Sequence, residues 1–260
     1  MNITGNTVFI PGATSGIGLA IAVALQAKGN AVIVGGRRTE LLERIAAEHP
    51  GIHTVRIDTT DAGSIRAASA QVIAAHPELN VVVAMAGIMR VEDWTTPSGF
   101  LETAEATVTT NLLGPIRLIA AFVEHLQTRQ DAAIVTVSSG LAFAPLAATP
   151  SYNATKAAIH QLSESIRLQL ADTSVQVIEL VPPAVRTGLL PGQEESEVAM
   201  PLDDFVSETM TLLETQPDAR EILVERVKFL RYGEARGDYD TVVAALNASD
   251  PHGKKPAQVS

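Results

Sequence analysis

The feature that most narrows the folds open to this chain is an alternation, kept up from Thr7 to Val181, of short apolar runs of strand length with longer helix-favouring stretches. Thr7-Val8-Phe9-Ile10 halts at Pro11-Gly12, the pattern of a buried strand meeting a turn. Ile17 to Lys28 is Ala-rich, with Gly29-Asn30 behind it as a stop, and Ala31 to Val34 is a second apolar run ending in Gly35-Gly36. Helices over Thr39 to Glu48 and Ala62 to Ala75 alternate with strands over His53 to Ile57 and Val81 to Ala84, and the last run, apolar throughout, implies burial on both faces. Beyond Trp94 the spacing predicts a long helix from about Leu101 to Gln127, a strand over Ala132 to Val137, a helix over Tyr152 to Leu170 and a strand over Val175 to Val181. Repeated units of this kind predict an α/β fold with a Rossmann-type doubly wound parallel sheet, in a single domain spanning residues 1–247.

Composition removes several function classes. Hydrophobic residues make up 46% of the chain and charged ones 18%, which favours a packed core over disorder. A formal net charge of -10 disfavours binding to a phosphate backbone, so no nucleic-acid partner is expected. The absence of cysteine excludes disulfides, thiolate zinc sites and a cysteine nucleophile, and no metal is expected. The N-terminus lacks a basic segment followed by a long apolar run, and no apolar stretch reaches the roughly 18 residues of a membrane span, so the expectation is a soluble cytoplasmic protein without a membrane partner. Residues 186–205, with Pro, Gly and acidic residues in no clear period, are a lid candidate, and 248–260, polar with Pro251 and Pro256, are expected to be a flexible tail.

Two segments carry chemistry. Gly12-Ala13-Thr14-Ser15-Gly16-Ile17-Gly18 joins the first strand to the first helix, where glycines permit a tight turn and let a pyrophosphate approach backbone N–H groups at a helix N-terminus. Its spacing, G-x-x-x-G-x-G, differs from the general dinucleotide fingerprint G-x-G-x-x-G, and taken alone it also fits a turn that merely packs helix on strand. Tyr152 and Lys156 stand four apart at the start of a helix, one turn apart on one face, and Ser138-Ser139 closes the preceding strand thirteen residues before Tyr152. Reducing a carbonyl leaves a developing alkoxide that must be protonated as hydride arrives, and Tyr152 suits that proton donor. A free phenol titrates near 10, so the reverse reaction near neutral pH needs an adjacent positive charge, which Lys156 would provide.

In these motifs the chain resembles the short-chain dehydrogenase/reductase family, whose opening turn reads T-G-x-x-x-G-I-G; Pro11 stands here in place of Thr. Ser139, Tyr152 and Lys156 fall at the family intervals, and Asn111, in Asn111-Leu112-Leu113-Gly114, matches the family's helix-borne asparagine. The resemblance implies that Lys156 also holds the nicotinamide ribose, that Ser139 binds the substrate oxygen, and that Asn111 anchors a water linking Lys156 to solvent. It matches the acidic ribose-binding position of NAD enzymes to Gly36, followed by Arg37 and Arg38, whose guanidinium groups suit a phosphate and favour NADP(H). Asp58 matches the residue that accepts from the adenine amino group, while Val185 and Thr187, in Pro182-Pro183-Ala184-Val185-Arg186-Thr187, match positions near the carboxamide. Where the family has N-N-A-G, this chain has Ala84-Met85-Ala86-Gly87; local bonding should differ, with Ala86 and Gly87 still able to approach the ribose. Asn111 to Leu118, Val137 to Phe143 and Glu221 to Leu230 are further similar to a subgroup named for an oxidoreductase linked to D-alanine esterification of teichoic acids, a name that describes a gene neighbourhood and carries no substrate over.

The resulting expectation is an NADP-dependent enzyme, of carbonyl reductase or alcohol dehydrogenase type, acting on a hydrophobic ketone or aldehyde. The pocket residues expected are Leu141, Phe143, Val185, Leu189, Leu190 and the loop near Trp94. Family members pair through helices matching about 101–127 and 152–170, implying a homodimer or homotetramer. The competing readings are a non-catalytic NADP-binding sensor or scaffold on the same fold and an NAD-linked alcohol dehydrogenase.

Overall fold

The computed structural model describes residues 1–249, so all of the expected tail but Ala248 and Ser249 lies outside the described residues. Seven strands form one parallel sheet: β1 (Thr7–Pro11), β2 (Ala31–Gly36), β3 (Ile52–Arg56), β4 (Val81–Ala84), β5 (Ala132–Val137), β6 (Val175–Leu180) and β7 (Glu221–Ile222). Their order is β3-β2-β1-β4-β5-β6-β7, all neighbours parallel. The strand order reverses between β1 and β4, which opens a crevice at their carboxyl ends, where such sheets bind ligands.

Helices cover both faces, and the period of two along each strand sorts side chains between them. Val8, Ile10, Val32, Val34, Val81 and Val83 enter one core layer with residues of α1 (Gly16–Ala27), α2 (Thr39–Glu48) and α7 (Leu202–Thr215). Phe9, Ile33, Val82 and Ala84 enter the other, with α3 (Ala62–Ala75) and α5 (Gly114–Gln127), where the Phe9 and Phe122 rings meet at 5.5 Å. Two-sided burial is why β1, β4 and β5 are apolar without alternation.

Pro11 disturbs less than its missing N–H suggests. Gly12 N donates to Gly35 O at 2.8 Å, so by alternation the nitrogen of residue 11 faces β4, whose pairing with β1 ends at Phe9↔Val82. No ladder bond is lost there.

Three expected elements come out differently. The predicted long helix is α4 (Leu101–Val108) and α5 joined by a π turn at Thr109–Leu113, which holds Asn111; π turns mark places where a helix is bent to functional use. Taken as one helix, Leu101–Gln127 has the length and apolar composition of a membrane span, which the absence of an unbroken apolar run did not disclose, although Leu118, Phe122 and Leu126 are buried in the core. The helix expected from Tyr152 is α6 (Pro150–Gln169), opened by Pro150, whose missing N–H costs nothing in a first turn. The lid candidate ends at 201, because α7 begins at Leu202. Its neck is tied by Met200 N to Ala184 O at 2.8 Å and Arg186 N to Met200 O at 2.9 Å. Past β7 come α8 (Lys228–Arg231), α9 (Gly233–Arg236) and α10 (Tyr239–Ala248).

Candidate active site

A groove runs over the carboxyl ends of β1 and β4, and close approach of backbone shapes it. Gly12 has φ +85°, and a Cβ there would lie 2.8 Å from the Cβ of Ala86. A Cβ on Gly18 would lie 2.8 Å from the Ala13 Cα and 3.0 Å from the Met85 sulfur, so the methionine packs where the family has an asparagine. Together with Ser15, Gly16 and Ile17 these glycines line one half of the groove, with Gly87, Tyr152, Lys156, Pro182, Val185 and Thr187 around it. Thr14, Gly36, Arg37, Arg38, Asp58 and Ala86 line the other half, and the two halves share Gly12 and Gly87.

At the outer end, a Cβ on Gly36 would come within 2.3 Å of the Thr14 methyl, so any side chain at the end of β2, acidic or not, would require Thr14 to move. Arg37 and Arg38 are exposed beside it. Burial pushes the Asp58 carboxyl up, but the hydroxyl and amide of Thr60, at 2.7 and 2.9 Å, with the nearby charges of Arg37 and Arg56, hold it below the usual carboxylate range.

At the inner end, Tyr152, Lys156 and Ser139 converge, all buried. Burial pushes the Tyr152 phenol up to about 12, against a hydrogen bond from Ser139. Burial pulls the Lys156 ammonium down to about 8, opposed by the negative charge of Glu179. Lys156 Nζ donates to Val137 O at 2.7 Å and lies 5.5 Å from the centre of the Tyr152 ring. Asn111 does something the resemblance did not supply. Its amide donates to Ile88 O at 2.9 Å and its oxygen accepts from Ile88 N at 2.8 Å, clamping the turn after β4. A Cβ on Gly87 would stand 3.4 Å from Asn111 Oδ1 and 3.8 Å from Lys156 Nζ, which places Gly87 between them.

Ser139 and Tyr152 also border a second cavity, of about 150 Å³, walled by Leu141, Leu189 and Leu190 as expected and by Met89, Leu146, Leu230 and Leu246, which were not. The last two arrive from α8 and α10, far along the chain, where no local spacing points to them. Three expected pocket residues lie elsewhere. Phe143 turns away, its ring meeting His160 at 4.7 Å and the Arg231 guanidinium at 4.4 Å. Val185 faces the groove and bridges to Met200. Trp94, 55% exposed, stacks on Phe100 at 4.1 Å and donates to Glu92 at 2.7 Å. Glu92 itself is buried, and its Oε2 also accepts from the Ser151 amide at 3.2 Å and hydroxyl at 3.0 Å, so a carboxylate holds the first turn of α6 next to Tyr152. Its signal in the sequence, one of two adjacent acids in an ordinary loop, was too weak to read.

Comparison with known proteins agrees with this arrangement. Residues 6–197 match the family model described as short chain dehydrogenase. The chain is similar to the uncharacterised oxidoreductase DltE of Bacillus subtilis, 38% identical over 254 residues that cover 96% of this chain and all of that protein. It is 30% identical to the NADP-dependent 3-hydroxy acid dehydrogenase YdfG of Salmonella typhi over 76% of this chain and 77% of the relative. Among solved structures, a short chain dehydrogenase from Burkholderia cenocepacia in complex with NADP superposes with a TM-score of 0.81 at 25% identity, covering 95% of this chain and 99% of that one. With a glycine turn at the switch point of a parallel sheet and a tyrosine, lysine and serine meeting at its inner end, the chain belongs to the short-chain dehydrogenase/reductase family of oxidoreductases.

Proposed function

We propose that the protein is an NADP(H)-dependent oxidoreductase that interconverts a compact hydrophobic ketone or aldehyde with its alcohol. The observation that carries this reading is that Ser139 and Tyr152 stand in the wall shared by the dinucleotide-sized groove and the apolar cavity, with Lys156 behind them on the groove side. A nicotinamide dinucleotide fits the groove because close backbone packing at Gly12, against Ala86, and at Gly18, against Ala13, leaves the turn that must meet it bare of side chains there. The turn from Gly12 to Gly18 would meet the pyrophosphate, Val185 and Thr187 the nicotinamide carboxamide, Ala86 and Gly87 the ribose, and Asp58 the adenine. The cofactor supplies hydride to the carbonyl carbon, or removes it in the reverse direction. The Ser139 hydroxyl donates to the substrate oxygen, and the Tyr152 hydroxyl gives that oxygen its proton. The ammonium of Lys156 offsets the negative charge left on the phenol, which burial alone makes costly. Asn111 keeps the turn at Ile88 in place against Lys156.

NADP is preferred over NAD because the end of β2 carries no carboxylate and two exposed guanidinium groups flank it. Segment 186–201 acts as the lid, since it brings Leu189 and Leu190 over the cavity on a tied neck. A pairing surface on α4, α5 and the π turn between them is supported by Leu101, Val108, Leu113 and Ile116, each between 37% and 51% exposed.

The test is turnover of NADPH with a panel of aryl and medium-chain carbonyls and polyols, with Tyr152→Phe alongside. Wild type should favour the apolar carbonyls, and the variant should lose on the order of a hundredfold or more in rate while still binding NADPH. NADPH binding without turnover across the panel would transfer the protein to the sensor reading, and equal affinity for NADH would remove the role given to Arg37 and Arg38.

A further inference from the structure

The helix that carries Tyr152 and Lys156 carries a third ionisable side chain in register. His160 follows Lys156 by four residues, as Lys156 follows Tyr152, so the three form one stripe along α6. Against this stripe lies Glu179 of β6, fully buried and the one charged residue in Val175–Leu180. Both its oxygens are engaged: Oε1 accepts from the Ser138 hydroxyl, and Oε2 pairs with His160 Nδ1 at 2.8 Å. The strand register sets Thr136 opposite Glu179 and Val137 opposite Leu180. Ser138 is therefore tied to the carboxylate, while the carbonyl of the adjacent Val137 receives Lys156 Nζ.

The other charged groups gathered here are Glu221 of β7 and Arg231 of α8, which face His160 and bond each other through two contacts of 2.8 and 3.0 Å. That pair is self-neutralising. His160, Glu179 and Glu221 bring ligand atoms within 4.8 Å of one another, but the arginine on Glu221 and the serine on Glu179 give the cluster the character of an ion-pair network and not of a cation site.

We propose that Glu179 is a positioning residue for hydride transfer: its buried carboxylate, held by Ser138 and His160, keeps Lys156 an ammonium in surroundings that would otherwise discharge it. The proposal rests on the roles assigned above to Tyr152 and Lys156. Its physical basis is that a buried carboxylate persists only where donors and a cation satisfy it; here a hydroxyl and an imidazole bond it, and that imidazole stands one helical turn from Lys156 on the same face of α6. The effect runs both ways, since the hydrogen bond to Glu179 raises the His160 imidazole above its ordinary value, against the burial that lowers it. Glu179 likewise opposes the burial that lowers Lys156.

The experiment follows the ε-carbon resonance of Lys156 against pH in the full-length, cofactor-free protein labelled with 13C-lysine, with Lys156→Arg for assignment. Glu179→Gln should lower the Lys156 midpoint by about one pH unit, the lower end of what a nearby opposite charge contributes. Glu179→Asp, which keeps the charge, and Ser138→Ala, which removes only a hydrogen bond, should stay with wild type. Should Glu179→Gln fold poorly, the paired apolar replacement Glu179→Leu with Ser138→Ala leaves no unmatched polar group on the strands and should give the same drop. An unmoved midpoint in the neutral variants, or a shift as large in Ser138→Ala, overturns the proposal. Because this titration needs no turnover, it is separable from the proposed reaction: failure of wild type to reduce any carbonyl would sink the reaction and leave the Lys156 result standing. Where turnover is found, the basic limb of the reduction profile should move down with Glu179→Gln.

Discussion

Lys156 and Tyr152 are moved in opposite directions by the same burial, because each is disfavoured in its charged form. The lysine discharges near 8 in the folded protein and near 10.5 when unfolded, so between those values the unfolded chain binds more protons and stability rises with pH. Below pH 8 both states hold the charge and the folded form carries the full cost of burying it. The phenol, at about 12 when folded against 10.0 unfolded, keeps its proton longer in the folded state, so above pH 10 its contribution falls as pH rises. Relative to Lys156→Met, wild type should therefore gain up to about 1 kcal/mol per pH unit from pH 8 to 10, as read by urea unfolding. A difference that stays flat across that range would mean that Lys156 is not desolvated as described. The pair itself was legible from a spacing of four residues. Glu179 had a signal too, a lone acid inside an apolar strand, and His160 continued the helical stripe, but nothing in the sequence says which strand lies against which helix face.

The β1-to-α1 turn, a single element, carries most of the argument for a dinucleotide. Replacing Gly12 by alanine forces a side chain onto a backbone at φ +85° and against the Ala86 methyl on the neighbouring turn. The expected outcome is a loss of at least about tenfold in NADPH affinity by calorimetric titration, with a stability cost of about 1–3 kcal/mol. Binding at wild-type strength would place the cofactor elsewhere than the β1–β4 crevice. The core elements were legible nearly to the residue: β4, β5, α2 and α3 have the bounds that the sequence predicts, because burial on both faces and short turns punctuate them sharply. The π turn at Thr109–Leu113 was not, since one extra residue shifts the phase of the apolar pattern within a single turn and leaves the period on either side unchanged.

For the whole molecule, the outward side of α4, α5 and the π turn joining them exposes Leu101, Val108, Leu113 and Ile116, and Leu168 on α6 is 79% exposed. If these surfaces pair two copies, Ile116→Glu should reduce the mass measured by light scattering to that of a monomer while leaving the fold intact, because a charge buried at an apolar interface lacks a partner. A wild-type protein that is already monomeric would dismiss the pairing. At the other side, α8 and α10 close the cavity with Leu230 and Leu246, and Asn247 ties α10 to the loop after Phe143 by accepting from Ala147 N at 2.7 Å and donating to Pro145 O at 3.0 Å. The walls of the cavity are thus shared between segments about a hundred residues apart.

From the sequence alone follow the doubly wound sheet, the glycine turn and the placement of Tyr152 and Lys156 on one helix, since each depends on local periodicity or spacing along the chain. Only the tertiary structure decided that Gly36 abuts Thr14, that Glu92 secures the first turn of α6, that Glu179 bonds His160 one turn beyond Lys156, and that Leu230 and Leu246 rather than Phe143 and Trp94 wall the cavity. Those facts depend on which elements the fold lays side by side, and contacts across separations from about twenty residues to about a hundred leave no period in the sequence to read.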